Sequence, residues 1–179
     1  MKISELAKRA VETYVRERRE IYPSDDLEER YLRERTGTFV TIEKKGELRA
    51  CIGTYLPTKE NIAKEVISNA IAAASRDFRF GTIVKDELPI LSYTVCLLGK
   101  PEPIKNVEEL NPQKYGIIVR NTSLENCDEC SPNKSALLLP GIKGIKNVKE
   151  QILIACQKGG IDPSREKVII YRFTAEKHK

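Results

Sequence analysis

The sequence predicts an α+β protein built from two strand-strand-helix-strand repeats. Runs of β-branched and apolar residues alternate with amphipathic segments at helical spacing, and this order of elements occurs twice along the chain. The composition agrees, because 40% hydrophobic and 32% charged residues are typical of a globular protein. At 179 residues we expect one domain, 1–179, with two lobes at about 1–100 and 101–179 that share a cleft.

The first repeat is expected to follow an amphipathic helix at the start of the chain. The strands of the repeat are predicted where β-branched and aromatic residues concentrate, with a hairpin turn at 44–46. A wide apolar stripe predicts the helix of the repeat, with Thr58 as its N-cap. The other predicted elements are the opening helix over 3–20, a turn with a short helix within 22–36, and strands over 38–43, 47–54 and 90–98.

The second repeat has the same order of elements. Strands are predicted over 116–120 and 135–139, a helix over 147–158, and a last strand over 167–173. Two glycines after residue 158 are expected to end the helix. Little residue identity links the halves, so the repeat is one of pattern, and we expect the two halves to pool their strands in a shared sheet.

The charge of the chain is a modest basic excess. Lys and Arg number 31 against 26 acidic residues, which gives a net charge of +5. This excess permits a small anionic ligand. Nucleic acid is a less favoured partner, because Glu17 and Glu20 interrupt the local basic cluster of Arg16, Arg18 and Arg19.

No segment of the sequence predicts a membrane span or a secretory signal. The first residues contain no apolar run, and no stretch approaches the roughly 18 apolar residues that a span requires. We therefore expect a cytoplasmic protein whose five cysteines are reduced. Abundant Lys, Arg, Glu and Ile with a single Met favour a thermophilic source.

The clearest candidate site is the run LRACIGT at 48–54. On a strand, Arg49, Cys51 and Gly53 share one face, where a guanidinium favours the thiolate and a glycine permits close approach. The alternative is a buried structural thiol. A Cys-His dyad is not expected, because the only histidine, His178, lies in a tail that we expect to be frayed.

Two segments that contain acidic residues could contribute to the same site. In RDFRF at 76–80, Asp77 could act as acid, base or ligand and Arg79 could hold an anion, although an ion pair that ends a helix explains the pattern equally well. Glu87 precedes a predicted strand and matters only if it faces the cleft that holds Cys51.

No motif predicts a cofactor or a metal. Cys127 and Cys130 form a CxxC pair, but the second pair or the histidines of a zinc site are missing. A disulfide, a redox pair and a plain surface loop all stay open for it. Cys96 and Cys156 lie in apolar runs and are expected in the core.

These residues resemble the AMMECR-one family from about residue 5 to 175. The matching pieces are GTFVTI, LRACIGT, an Ala-rich helix leading to DFRF, EL at 87–88, YGIIV, ALLLP and CQKGGI. Ala50 replaces the central glycine of the family's LRGCIG hallmark, and Phe78 stands where many relatives carry proline. The resemblance implies a duplicated α+β fold with a barrel-like sheet and outer helices. It also implies no established activity, and an association with Memo-like and radical SAM proteins.

Two functional hypotheses follow, and the sequence does not choose between them. In the first, an enzyme component acts on an anionic small molecule or a protein. Cys51 is then the nucleophile, with Arg49, Asp77 and Glu87 as the other catalytic residues. In the second, the same cleft belongs to a non-catalytic binding or adaptor module for a partner protein or nucleic acid. The substrate contacts are predicted at Gly53, Thr54, Arg79 and Phe80.

Overall fold

The structure is a computed structural model that describes residues 1–122 and 134–179. Its contacts divide the chain into two compact units. The first unit comprises Met1–Leu98 and Glu176–Lys179, and the second comprises Gly99–Ala175. The predicted CxxC pair, Cys127 and Cys130, lies outside the described residues.

Four α-helices, two short 3-10 helices and eight strands make up the described residues. The α-helices are α1 (Ile3–Glu17), α2 (Glu29–Arg33), α3 (Ile62–Arg76) and α4 (Val148–Gly159), and the 3-10 helices span Lys85–Ile90 and Val107–Glu109. The strands are β1 (Thr38–Lys44), β2 (Glu47–Thr54), β3 (Leu91–Leu98), β4 (Glu102–Pro103), β5 (Gly116–Thr122), β6 (Ser135–Leu138), β7 (Lys167–Phe173) and β8 (Ala175–His178).

The strands form two four-stranded antiparallel sheets, one with the order β2-β1-β3-β8 and one with the order β4-β7-β5-β6. The predicted α+β class is therefore confirmed. Each repeat builds its own sheet in place of the shared sheet that we expected. Closure into a barrel and a cleft shared by two lobes stay predictions.

The two sheets have matching orders. In each repeat the first strand lies between the second and the third, and a fourth, short strand lies beside the third. These fourth strands are β8 and β4, and each follows the last strand of the other repeat in sequence. The duplication predicted from the pattern therefore extends to the topology.

The core of the first unit lies between β1, β2 and β3 and the two long helices, α1 and α3. Apolar residues spaced three or four apart make the buried face of each helix, and the alternate residues Val40 and Ile42 of β1 face them with no exposed surface. Helix α3 begins later than predicted. Its N-cap is Asn61, whose side chain accepts the Lys64 N–H at 2.9 Å.

The hairpin of β1 and β2 contains a β-bulge at Arg49. Ile42 pairs with Ala50 and Glu43 pairs with Leu48, so Arg49 is the extra residue on β2. In a regular strand Leu48 and Ala50 would share one face, and the bulge breaks this alternation. Leu48 is 46% exposed as a result, whereas Ala50 is fully buried.

The expectation of a frayed C-terminal tail is wrong. Residues 175–178 form β8 beside β3, and Glu176 binds Arg30 of α2 at 2.9 Å. The His178 ring meets the buried Tyr31 edge to face, with 6.1 Å between ring centroids. An ion pair and an aromatic contact therefore hold the end of the chain in addition to strand pairing.

None of the helices in the described ranges is both long and apolar enough to cross a lipid bilayer.

Candidate functional site

Cys51 lies on β2, the edge strand of the first sheet, and side chains cover the outer side of its backbone. Its N–H donates to Asp77 Oδ2 at 2.9 Å, and its carbonyl accepts a hydrogen bond from Arg79 Nη2 at 3.1 Å. Asp77 and Arg79 come from the segment that follows α3. They take the place of a neighbouring strand at this residue, which blocks the backbone groups that an edge strand leaves open.

This arrangement also fixes where the thiol lies. Because the backbone of Cys51 turns outward, Cys51 and its partner Thr41 on β1 form a pair without mutual backbone hydrogen bonds, the closer type of cross-strand pair. The Sγ atom lies 3.3 Å from Thr41 Oγ1 and is partly buried. The thiol is therefore neither sealed in the core nor fully open to solvent.

Asp77 is a buried and fully engaged carboxylate. It is 2% exposed, and it accepts hydrogen bonds from Arg79 Nε at 2.9 Å and Arg79 Nη2 at 2.7 Å as well as from the Cys51 N–H. The Arg79 hydrogen bonds lower the pKa of Asp77 to about 2, against the opposing effect of burial. Such an acid stays ionised at neutral pH, which favours a positioning role over proton transfer.

Arg79 is the cation of this cluster. Its hydrogen bond with Asp77 raises its pKa, burial acts in the opposite direction, and the charges of Asp77 and Cys51 add to the increase. The side chain is 47% exposed, and the guanidinium lies over the Phe80 ring at 5.2 Å from its centroid. Within the described ranges no partner is recorded for Nη1, so this nitrogen can still donate to a ligand.

The Arg49 guanidinium binds Glu87 and two backbone carbonyls. Nε and Nη2 donate to the two oxygens of Glu87, each at 2.9 Å, in a bidentate ion pair. Its remaining hydrogen bonds go to the carbonyls of Gly81 and Thr82. The guanidinium that binds Cys51, through its carbonyl oxygen, is therefore that of Arg79, and the bulge at Arg49 explains why the Arg49 side chain points elsewhere.

Glu87 binds two cations and faces Arg49 rather than Cys51. Lys44 Nζ donates to Oε1 at 2.9 Å in addition to the Arg49 pair. The Arg49 hydrogen bonds are the main cause that lowers the pKa of Glu87 to about 2, with burial opposing and Lys44 assisting. Like Asp77, it is an ionised anchor for the segment that crosses the edge of β2.

Gly53 and Thr54 make contacts within the first unit. A side chain at Gly53 would collide with the Phe39 ring and with the carbonyl oxygen of Thr38. The Thr54 hydroxyl donates to Glu65 at 2.7 Å and accepts from Asn69 Nδ2 at 3.3 Å. Both residues hold β2 in place.

The sequence analysis missed Glu65 and Asn69, which are buried polar residues on α3. Four donors from Thr54, Thr58 and Lys59 reach the Glu65 carboxylate, and although burial opposes ionisation these hydrogen bonds lower its pKa. Two polar residues four positions apart within an apolar stripe were the available signal, because such a pair faces the core together. Thr58, predicted as a cap, is instead a donor to Glu65.

Exposed apolar side chains lie along the same edge. Leu48, Phe78, Phe80 and Val84 belong to β2 or to the segment that the Asp77 and Arg49 hydrogen bonds hold against it. Phe78 is 94% exposed, which leaves almost its whole ring in solvent. We call these four residues the β2-edge surface.

Among the described residues, no group of three or more His, Cys, Asp and Glu side chains is placed to hold a metal ion. The candidate site therefore consists of a thiol, a hydroxyl, two ion-paired clusters and an apolar surface. This set can bind a ligand through apolar contact and through Arg79, and it offers a thiol for covalent chemistry.

Comparisons with known proteins agree on the family resemblance. The model of the AMMECR1 family matches residues 4–178. A Thermotoga maritima protein is 44% identical over 172 residues, which cover 96% of this chain and 93% of that protein. A Clostridium acetobutylicum protein is 43% identical over 143 residues, which cover 80% of this chain and 28% of that longer protein.

The fold is also similar to a crystal structure. The match is to an uncharacterized protein from Pyrococcus horikoshii, with a TM-score of 0.84 and 29% sequence identity. It covers 98% of this chain and 88% of the other. The duplicated α+β architecture is therefore shared with an experimentally determined relative.

Proposed function

Since the chain belongs to the AMMECR1 family over residues 4–178, we propose that it is a non-catalytic binding module that recognises a partner protein through the β2-edge surface. The observation that carries this proposal is the contrast between the charged and the apolar groups around Cys51. The acids pair with neighbouring cations, whereas Phe78 is 94% exposed. An exposed ring on an anchored segment is suited to association.

The proposed partner presents an apolar pocket and an acidic group. Aromatic and arginine side chains are enriched at protein interfaces, and the β2-edge surface combines Phe78 and Phe80 with the half-exposed Arg79. A carboxylate on the partner would pair with the Nη1 donor of Arg79 while an apolar pocket receives the Phe78 ring. Family association makes Memo-like and radical SAM proteins the first partners to test.

Calorimetric titration of the full chain with the Memo-like and the radical SAM protein of the same genome tests the proposal. Phe78→Ala is expected to weaken binding at least tenfold, which corresponds to about 1.4 kcal/mol. Leu153→Ala is the matched control, because Leu153 is an exposed apolar residue of α4 in the second unit. Binding of neither protein, or equal affinity of Phe78→Ala and the natural chain, would contradict the proposal.

A second candidate function is a thiol enzyme, and the position of Sγ favours it. Cys51 is half-buried, its sulfur lies 3.3 Å from the Thr41 hydroxyl, and Arg79 Nη2 binds its carbonyl oxygen at 3.1 Å. In this function Arg79 holds an anionic small molecule or protein substrate and Cys51 forms a covalent intermediate. Asp77 and Glu87 act through Arg79 and Arg49, not on the substrate.

Cys51→Ser separates the two functions. A binding module keeps its partner affinity within about twofold and keeps its activity in cells, whereas a thiol enzyme keeps its affinity and loses its activity. Alkylation of Cys51 as a function of pH gives an independent answer, because a nucleophilic thiol reacts well below the pH at which an ordinary cysteine does. A nucleic-acid ligand would instead show binding that weakens steeply with salt.

A further inference from the structure

A pocket lies at the tip of the β1–β2 hairpin, beside the β2-edge surface. Its volume is about 350 Å³, and its lining comes from the end of β1, the turn and the start of β2. We call it the hairpin pocket, and it is lined by Lys44, Lys45, Glu47, Leu48 and Arg49. Because Leu48 also belongs to the β2-edge surface, the pocket and that surface are continuous.

The hairpin pocket carries more positive than negative charge. Three of its five side chains are cationic and one is acidic. Glu87 compensates part of this excess, because it binds Arg49 in the bidentate pair and Lys44 at 2.9 Å. An ammonium has three N–H donors, and Lys44 uses one of them among the described residues while its side chain is 41% exposed. Lys44 can therefore also donate to a ligand.

Lys45 is the cation that the fold leaves free. The residue is exposed, and in the described part of the chain its ammonium has no ion-pair or hydrogen-bond partner. A ligand can pair with this ammonium without first breaking a bond within the protein. The long and flexible stem of the side chain lets the charge reach an acceptor above the pocket.

The backbone at Lys45 gives an independent sign that its side chain acts outside the turn. Lys45 and Gly46 are the two central residues of the hairpin turn, with φ angles of 53° and 85°. This geometry favours Asn, Asp or Gly at both positions, and a lysine adopts the left-handed conformation only at a cost. Local preference does not explain the lysine, and such departures are expected where function requires a residue.

We propose that the hairpin pocket binds an acidic side chain of the partner protein that the β2-edge surface recognises, so this inference rests on the proposed function. The Lys44 and Lys45 ammoniums donate to the carboxylate, and Leu48 contacts the apolar part of the same side chain. Once Glu47 and Glu87 are counted, one of the three positive charges stays uncompensated. A single carboxylate balances that charge.

The strand sets the spacing of the acidic groups that the partner must present. A strand rises about 3.3 Å per residue, so Glu47 lies about 13 Å along β2 from Cys51. Arg79 binds the carbonyl oxygen of Cys51 and is the site proposed for the first carboxylate. The partner therefore presents a second acidic group about 13 Å from the first.

The test uses the full chain and random ten-residue peptides displayed on phage, since such a peptide spans about 33 Å when extended and can reach both sites. Enriched peptides are resynthesised with a fluorophore, and their affinities are measured by anisotropy. Replacing one Asp or Glu of the peptide by Asn or Gln is expected to weaken binding at least threefold, and so is Lys45→Asn in the protein. Together the two changes should weaken binding little more than either alone, because each removes the same ion pair.

Two controls separate the ion pair from general effects of charge and structure. Lys143→Asn removes an exposed lysine from the second unit, changes the net charge equally, and is expected to leave the affinity unchanged. Lys45→Asn is expected to raise the midpoint of unfolding in urea, because Asn is favoured at this position of the turn. A lower midpoint would mean that Lys45 serves the fold, and it would overturn the proposal.

Phe78→Ala distinguishes the failure of this inference from the failure of the proposed function. Peptides that lose affinity with Phe78→Ala but not with Lys45→Asn would overturn the acidic contact alone. The absence of enriched acidic peptides would also overturn it, while the calorimetric titration of the partner proteins decides the proposed function independently. Inorganic phosphate that displaces the fluorescent peptide as well as unlabelled peptide does would assign the pocket to a phosphate group. Self-association of the peptide-free chain that Lys45→Asn abolishes would assign it to a second copy, and either result overturns the proposal.

Discussion

The β2 edge and the β3 edge of the first sheet are closed by different means. At β2, the side chains of Asp77 and Arg79 bind the backbone of Cys51, whereas at β3 a short strand, β8, lies beside the edge. Side chains of a loop can thus replace a strand at a single residue, and the strength of the Asp77 hydrogen bonds depends on the charge of the carboxylate. Strand pairing has no such dependence on ionisation, so the two edges differ in their response to acid.

Of the changes considered, acid is predicted to have the largest effect on the β2 edge. Asp77 and Glu87 both have a pKa of about 2 in the folded chain, below their ordinary values of 3.8 and 4.5. Their contribution to the free energy of unfolding is therefore complete above about pH 4.5 and is lost as the pH falls toward 2. We expect the free energy of unfolding to fall by on the order of 4 kcal/mol. This value includes a reduction because solvent screens the half-exposed Arg79.

Urea titrations at pH 7 and pH 2.5 measure this loss. The double variant Asp77→Asn, Glu87→Gln lacks both titrating groups and is expected to lose less than half as much stability between the two pH values. Equal acid sensitivity of the natural chain and the double variant would assign the effect to other carboxylates.

Asp77→Ala tests at neutral pH how much the Asp77 hydrogen bonds at the β2 edge stabilise the fold. The substitution leaves the Cys51 N–H and the Arg79 guanidinium without their acceptor, and we expect it to lower the free energy of unfolding by about 3 kcal/mol. Asp86→Ala is the matched control, since Asp86 is an exposed acid on the same segment and should cost under about 0.5 kcal/mol. Similar urea midpoints for the two variants would show that the hydrogen bonds of Asp77 do not stabilise the fold.

Gly53→Ala tests how closely β2 is packed two residues beyond Cys51. A Cβ atom there collides with the Phe39 ring and the Thr38 carbonyl oxygen, and we expect a cost of about 2 kcal/mol. In a Phe39→Ala background the ring is gone and the cost should fall by about 1 kcal/mol. Strict additivity of the two substitutions would show that the ring does not constrain position 53.

Phe78→Ala is expected to have the smallest effect on stability. The ring is 94% exposed, so its loss should change the free energy of unfolding by no more than about 0.5 kcal/mol. The same variant is predicted above to weaken partner binding at least tenfold. A large loss of stability in thermal unfolding would mean that Phe78 serves the fold and not a partner.

Most elements of the fold could be predicted because each depends on a local pattern. The predicted strands at 47–54 and 167–173 agree with β2 and β7, and the helix predicted over 147–158 agrees with α4 within one residue at each end. Periodicity of apolar residues is a short-range signal that one sequence carries in full. The short strands β4 and β8 lack such a pattern and were not predicted.

The residues of the candidate site could be identified from the sequence, but the contacts between them could not. Cys51, Asp77 and Arg79 were each identified, and the structure brings these three together, yet the sequence paired the thiol with Arg49. One extra residue in β2 turns Arg49 toward Glu87, and no composition or spacing signals a bulge at that position. Contacts between residues more than twenty positions apart depend on such details of register.

Native-state hydrogen exchange measures most directly whether the Asp77 carboxylate holds the Cys51 amide at the edge of β2. In the natural chain we predict that the Cys51 amide exchanges slowly. In Asp77→Ala the Cys51 amide should exchange at least tenfold faster relative to the amides of β1. An unchanged Cys51 rate in that variant would contradict the claim that Asp77 closes this edge of the sheet.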